Sequence, residues 1–103
     1  MRLNEKKQQF AHAGEILERN FITFNNLSQN QVSKRIGVAQ SRISELVTGT
    51  KRFNPDLDLR LCRFFGLPDG SFLDTQTKFD LKKKFAEIED TLNMIVPLRK
   101  FKK

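Results

Sequence analysis

The chain has 103 residues, with 19 Lys or Arg against 12 Asp or Glu, so its length allows one small domain and its formal charge is +7. This basic excess favours an anionic partner, above all nucleic acid, and no apolar stretch approaches the ~18–20 residues of a membrane span. The single cysteine excludes an internal disulfide, and one cysteine with one histidine cannot form a His/Cys zinc site, so we expect no metal or cofactor. The N-terminal residues also lack the apolar core of a signal peptide, and we therefore expect a cytoplasmic protein.

The chain begins with a tail that precedes the first helix. Residues 1–11 are mostly polar and predict an N-terminal tail, whereas residues 12–96 carry the apolar pattern of a single domain, followed by a basic tail over residues 97–103. Apolar residues at helical spacing follow His12 and predict a first helix, which Asn25-Asn26 ends. His12 is interpreted as a helix cap or a packing residue rather than a catalyst.

Two short helices around a glycine turn form the most informative pattern. Ser28 is a good N-cap for the first of them, and Gly37 ends it because glycine adopts positive φ without a Cβ clash. The second runs from Gln40 to about Val47 and ends at Gly49. Apolar residues fall where two steeply crossed helices meet: Val32, Ile36, Val38, Ile43 and Leu46. The pattern predicts a helix-turn-helix.

Two further helices are predicted downstream. Asn54, followed by proline in the first turn, opens the fourth helix. Ser71 and Asp74 have the spacing of a capping box for a longer fifth helix, which Pro97 ends. From its middle onward, this helix carries an apolar seam at steps of 4, 3, 4 and 3 residues: Leu81, Phe85, Ile88, Leu92 and Ile95.

The second short helix carries hydrogen-bonding residues on its outer side, and these are the predicted base contacts: Gln40, Ser41, Arg42, Ser44 and Glu45. Gln forms two bonds to adenine, Arg forms two bonds to guanine, and Ser serves several bases. A helix in the major groove reads bases mainly through its N-terminal turn. The alternatives are that Gln40 and Ser41 only finish the helix end, and that Arg42 and Glu45 pair with each other.

Phosphate contacts require donors on either side of that helix, and the predicted ones are Gln29, Lys51, Arg52 and Asn54. Gln29 lies beside the free backbone amides that begin the preceding helix, where anions bind readily. Between Leu27 and Phe53 there are five basic residues and one acidic residue. A solvated surface is the alternative explanation of this charge, but its coincidence with the motif favours phosphate binding.

An apolar seam exposed to water would be costly, so the fifth helix predicts a dimer. The residues expected at this interface are Phe72, Phe79, Leu81, Phe85, Ile88 and Leu92. The alternative is that the seam folds back on the core of its own chain.

The block from His12 to about Leu98 resembles HigA/VapI-type antitoxins, small repressors with a helix-turn-helix of the phage-repressor (XRE) class. The family typically opens with His-Pro-Gly-Glu-Ile-Leu, where this chain has His12-Ala13-Gly14-Glu15-Ile16-Leu17. Later matches are Leu27-Ser28-Gln29, Ile36-Gly37-Val38, Ser41-Arg42-Ile43-Ser44-Glu45-Leu46 with Gly49 and Lys51, Leu59 to Gly66, and Ser71 to Leu81.

This resemblance implies an all-α chain: a five-helix phage-repressor-like helix-turn-helix domain with an extended C-terminal helix. It implies a non-enzymatic dimer that binds double-stranded operator DNA, represses its own operon and, as the antitoxin of a type II toxin–antitoxin module, neutralises an mRNA-cleaving toxin. Toxins of this class are usually small and basic, which makes acidic side chains candidate contacts, although solvated helix faces explain them equally well: Glu15, Glu18, Glu87, Glu89 and Asp90.

Three other functions remain open. The nearest is a stand-alone XRE-family regulator without a toxin partner. Ala39 stands where the family usually has a Ser or Thr cap, a loss of ~1 kcal/mol that hints at a scaffold binding only protein. A ribonuclease toxin would need proton-transferring groups, yet the chain has one histidine and no tyrosine.

Overall fold

The computed structural model describes residues 12–98, so the predicted N-terminal tail and residues 99–103 of the predicted basic tail lie outside the described residues. Within this range the chain forms five helices and no strand, which confirms the predicted all-α fold. Helix α1 has an α-helical part, Ala13–Ile16, and a π-helical part, Leu17–Thr23; the others are α2 (Gln29–Ile36), α3 (Gln40–Thr48), α4 (Pro55–Phe65) and α5 (Ser71–Asn93). None of the helices in residues 12–98 is both long enough and apolar enough to cross a bilayer.

Helix α1 packs directly on the backbone of α3. His12 caps α1, as predicted, because its Nδ1 accepts the N–H of Gly14 at 3.0 Å. A Cβ placed on Gly14 would lie 1.8 Å from the carbonyl oxygen of Leu46, so only glycine permits this approach. The first turn of α1 therefore fixes the last turns of α3.

Helices α2 and α3 form the predicted helix-turn-helix. Ser28 Oγ accepts the N–H of Gln31 at 3.0 Å, and Gln31 Oε1 accepts the N–H of Ser28 at 2.8 Å, which completes a capping box. Gly37 ends α2 in the left-handed region with φ of 77°. Helix α3 begins after Ala39, which offers no side-chain cap.

The start of α5 differs from the prediction. Ser71 is the first residue of the helix, its N-cap is Gly70, and no side chain caps it from that position, so the predicted capping box of Ser71 and Asp74 is wrong. The buried carboxylate of Asp58 on α4 acts instead and accepts the N–H groups of Gly70, Phe72 and Leu73. The cap comes from another helix because the carboxylate reaches all three amides from the core.

The aromatic core corrects one predicted interface residue. Phe72 is only 2% exposed, and its ring stacks on that of Phe53 with the centroids 5.2 Å apart. Phe21 meets Phe72 edge-on at 5.4 Å. Phe72 therefore holds α5 onto its own chain, and it offers no surface to a second copy.

The last helix extends beyond the body of the domain and ends earlier than predicted. It stops at Asn93, before Pro97 is reached, and its path is interrupted at Ile88, where φ is −121° and ψ is 22°. Ile95, the last member of the predicted seam, follows the helix in an exposed segment. The other seam residues remain on α5, as described below.

Candidate nucleic-acid interface

The outer face of α3 presents the predicted base contacts to solvent. Gln40, Ser41 and Arg42 are exposed in its first turn, whereas Ser44 and Glu45, further along, are half-buried. On the opposite face, Ile43 and Leu46 are buried in the core. This amphipathic division leaves the N-terminal turn free to enter a groove of a duplex.

A polar groove of about 340 Å³ runs between α3 and the loop that follows it. Its lining residues are Ser41, Arg42, Glu45, Lys51, Arg52, Asn54 and Leu57. Three cationic side chains and one carboxylate face this space, so it favours an anion. Within residues 12–98 no acidic side chain lies within 4.0 Å of the Arg42 guanidinium, and the alternative pair with Glu45 is not formed.

The predicted phosphate contacts on this loop differ in their availability. Lys51 is exposed, and its own N–H donates to the carbonyl of Glu45 at 3.2 Å, which joins the loop to α3. Arg52 forms an ion pair with Asp80 of α5, and this hydrogen bond raises the pKa of Arg52. Asn54 caps α4, since its Oδ1 accepts the N–H of Leu57 at 2.8 Å.

The N-terminus of α2 supplies the remaining predicted phosphate contact. Gln29 is half-buried in the first turn, and the capping box at Ser28 satisfies the N–H of Gln31. The N–H groups of Gln29 and Asn30 have no acceptor inside the helix, because the first turn of a helix lacks preceding carbonyls. This end of α2 can therefore donate to a phosphate.

The side chain of Arg60 joins the turn between α2 and α3 to α4, and this role was not predicted from the sequence. Arg60 Nη1 donates to the carbonyl of Ile36 at 2.6 Å and approaches that of Gly37 at 3.4 Å. The carboxylate of Asp56 accepts its Nε at 3.1 and 3.2 Å. The i,i+4 spacing of Asp56 and Arg60 was a usable signal for the ion pair, but nothing local indicated the carbonyls more than 20 residues away.

The predicted dimer residues all lie on α5, and all except Phe72 are exposed or half-buried. Leu81 and Phe85 are exposed by 64% and 53%, and Phe79, Ile88 and Leu92 are half-buried. An apolar groove of about 440 Å³ follows this face, lined by Leu81, Lys82, Lys84, Phe85, Ile88 and Leu92. Leu81 and Phe85 are not covered by the core of their own chain, so the alternative that the seam folds back on that core does not apply to them.

Comparison with known proteins places this architecture in a family. A family model described as Helix-turn-helix matches residues 25–71, from the turn before α2 to the first residue of α5. Virulence-associated protein I of Dichelobacter nodosus is 37% identical over 87 residues, which cover 84% of this chain and 80% of that protein.

Two solved structures share the fold. The Pseudomonas aeruginosa antitoxin HigA with the higBA promoter matches with a TM-score of 0.74 at 22% identity, over 85% of this chain and 97% of that one. An addiction module antidote protein of a HigA family from Coxiella burnetii matches with a TM-score of 0.74 at 26% identity, over 84% of this chain and 95% of that one. With a relative of this similarity spanning most of both sequences, the chain belongs to the HigA/VapI-type family of XRE helix-turn-helix antitoxins.

Proposed function

We propose that this chain is a sequence-specific DNA-binding repressor that acts as the antitoxin of a type II toxin–antitoxin module. The observation that carries the proposal is the exposed first turn of α3, where Gln40, Ser41 and Arg42 stand beside a groove lined by Lys51 and Arg52. Side chains suited to base edges and cations suited to phosphates thus occur together on one face, and operator recognition requires both kinds of group.

On this proposal α3 lies in the major groove of the operator. Gln40 forms two hydrogen bonds to an adenine, Arg42 forms two to a guanine, and Ser41 bonds a neighbouring base edge. Lys51, Arg52 and the amides that begin α2 hold the phosphates on either side and set the register of the helix. Affinity then falls steeply with salt, because each phosphate contact releases counterions.

The chain binds its operator as a homodimer in this scheme. The support for dimerisation is the apolar face of α5, where Leu81 and Phe85 are exposed in the monomer. A two-fold dimer places two copies of α3 about one helical turn of DNA apart, ~34 Å. The operator is accordingly a pair of half-sites with inverted sequence.

The toxin partner is supported by family membership and by the solved relatives, which are described as an antitoxin and an addiction module antidote. We propose a small basic mRNA-cleaving toxin whose activity the chain blocks by binding. Acidic side chains that are half-buried on α1 or exposed on α5 are the candidate contacts: Glu15, Glu18, Glu87, Glu89 and Asp90.

The test has two arms. In the first, the purified chain is titrated against a duplex from upstream of its own gene and against a mixed-sequence duplex; tighter binding to the first is expected, and equal binding overturns sequence-specific recognition. In the second, the protein encoded by the neighbouring reading frame is co-expressed and purified with the chain. Operator binding without a stable complex would favour the stand-alone regulator.

A further inference from the structure

The side chain of Gln76 on α5 forms hydrogen bonds with the main chain of the loop between α3 and α4. Its Oε1 accepts the N–H of Phe53 at 2.8 Å, and its Nε2 approaches the carbonyl of the same residue at 3.4 Å. One side chain thus engages both polar main-chain groups of one loop residue. Gln76 is half-buried, so these bonds are partly shielded from competing water.

These hydrogen bonds lie where the loop passes from the solvent into the core. Phe53 is buried against Phe72, whereas Lys51 and Arg52, the two preceding residues, are exposed. The N–H of Phe53 belongs to the peptide group that joins it to Arg52, so its bond to Gln76 restrains the main chain from which the two cationic side chains project. Within residues 12–98, the other polar interactions of Lys51 and Arg52 are the hydrogen bond from the N–H of Lys51 to the carbonyl of Glu45 and the surface pair of Arg52 with Asp80.

We infer that Gln76 is a positioning residue for DNA binding: it touches no DNA itself, and it holds Lys51 and Arg52 at the groove beside α3. The inference rests on the proposed function, because it concerns the loop that carries the proposed phosphate contacts. A loop already ordered in the free protein loses less conformational entropy when DNA binds. Removing the hydrogen bonds between Gln76 and Phe53 therefore weakens DNA binding. Since phosphate contacts carry no sequence information, operator and mixed-sequence DNA are weakened alike.

The experiment compares Gln76→Met with Thr75→Val in the full chain. Methionine keeps the length of glutamine but has no donor for the Phe53 carbonyl and only a weak acceptor for its N–H. The matched control removes a hydroxyl from the preceding residue of α5, where Thr75 Oγ1 donates to the carbonyl of Ser71 within the same helix at 2.9 Å. Binding to a mixed-sequence duplex is measured over a series of salt concentrations, at a temperature where circular dichroism finds each variant folded.

Gln76→Met is expected to bind DNA ~3–10-fold more weakly, and its affinity should depend less steeply on salt, by the amount that corresponds to about one lost phosphate contact. Thr75→Val is expected to bind DNA as the wild type does. The loss should shrink when Lys51→Ala is already present, because both substitutions then act on the same contact. Unchanged affinity of Gln76→Met, equal losses in both variants, or full additivity with Lys51→Ala would overturn the inference.

Two further outcomes separate folding and function from positioning. If Gln76→Met does not fold, Gln76→Glu, which keeps the acceptor for the Phe53 N–H, is compared with Thr75→Glu, which adds the same charge one residue away. A larger loss for Gln76→Glu supports positioning, and equal losses contradict it. If the wild type binds neither duplex, the proposed function fails; if it binds and Gln76→Met binds equally well, only the role of Gln76 fails.

Discussion

The carboxylate of Asp58 is buried between α4 and the start of α5, where an unpaired charge would not be tolerated. Three main-chain N–H groups satisfy it: Gly70 at 2.6 Å, Phe72 at 2.9 Å and Leu73 at 3.0 Å. The positive end of the α5 dipole adds to this stabilisation. One side chain thereby joins the helix-turn-helix body to the helix that carries the apolar face.

Replacing this carboxylate should be among the costlier single changes in the domain. Asp58→Ala leaves three amides without an acceptor in a buried site, and we expect the free energy of unfolding to fall by about 2–4 kcal/mol. Urea denaturation followed by circular dichroism measures the change. The control is Asp74→Ala, which removes an exposed pair with Lys78 at 3.4 Å and an acidic residue from the first turn of α5, and it should cost less than about 1 kcal/mol. Similar losses in the two variants would contradict the capping role.

At the scale of the element, the proposed function assigns two kinds of DNA contact to α3 and the loop that follows it. Gln40 lies in the exposed first turn that we propose for base edges, and Lys51 lies on the loop that we propose for phosphates. Gln40→Ala is therefore expected to cost ~1–3 kcal/mol on the operator and to relax the preference at one base position. Lys51→Ala should weaken operator and mixed-sequence DNA by the same factor and reduce the salt slope by about one.

Binding measured against a panel of single-base operator variants distinguishes these effects. Loss of preference confined to one position assigns that base to Gln40. An unchanged base profile for Gln40→Ala, or a sequence-dependent loss for Lys51→Ala, would remove the division between base-reading helix and phosphate-binding loop.

The pair between Arg52 and Asp80 makes a second prediction about the same loop. A carboxylate on α5 already occupies the guanidinium that we propose for a phosphate, so the two anions compete. Asp80→Asn should therefore strengthen binding to all DNA sequences by ~2–5-fold, as measured by fluorescence anisotropy. Stability should change little, because both side chains are about half or more exposed. Weaker binding by the variant would instead mean that Asp80 orients Arg52 productively.

The elements that sequence reasoning placed correctly depend on local signals. The capping box at Ser28, the left-handed Gly37 and Gly49, and the cap at Asn54 all act within a few residues of themselves. Such interactions follow from residue type and spacing alone, which is why the helix-turn-helix and its exposed first turn of α3 were predictable.

The features that were missed depend on contacts between distant parts of the chain. Asp58 reaches α5, Arg60 reaches the end of α2, and Gln76 reaches the loop at Phe53. The sequence pattern places Phe72 on the dimer surface because an apolar residue at helical spacing indicates a buried face without showing whether its own chain or another covers it. In the folded chain Phe72 is buried by its own domain, which is a contact that the sequence pattern alone does not show.

On the scale of the whole molecule, α5 divides into a half that packs on the domain and a half that is exposed. Its first turns are held by Asp58, Phe53 and the loop after α3, whereas from Leu81 onward the helix is largely exposed. The exposed apolar residues continue past the helix end: Met94, Ile95, Val96 and Leu98. Association of two copies would bury this apolar surface. In such a dimer α5 would connect the second copy to the loop that we propose binds phosphate.

Phe85 offers the most direct test of that dimer, because it is 53% exposed and lines the apolar groove of α5. Phe85→Lys places a charge in the proposed interface, and we expect it to convert the dimer into a monomer in sedimentation equilibrium. Operator affinity should fall at least tenfold although the added charge is positive, since two half-sites are then no longer bound together. Leu59→Lys is the control, because Leu59 is 47% exposed on α4, away from this groove, and its variant should remain dimeric. A dimeric Phe85→Lys, or a monomeric wild type at concentrations where the operator is bound, would rule out this face of α5 as the interface.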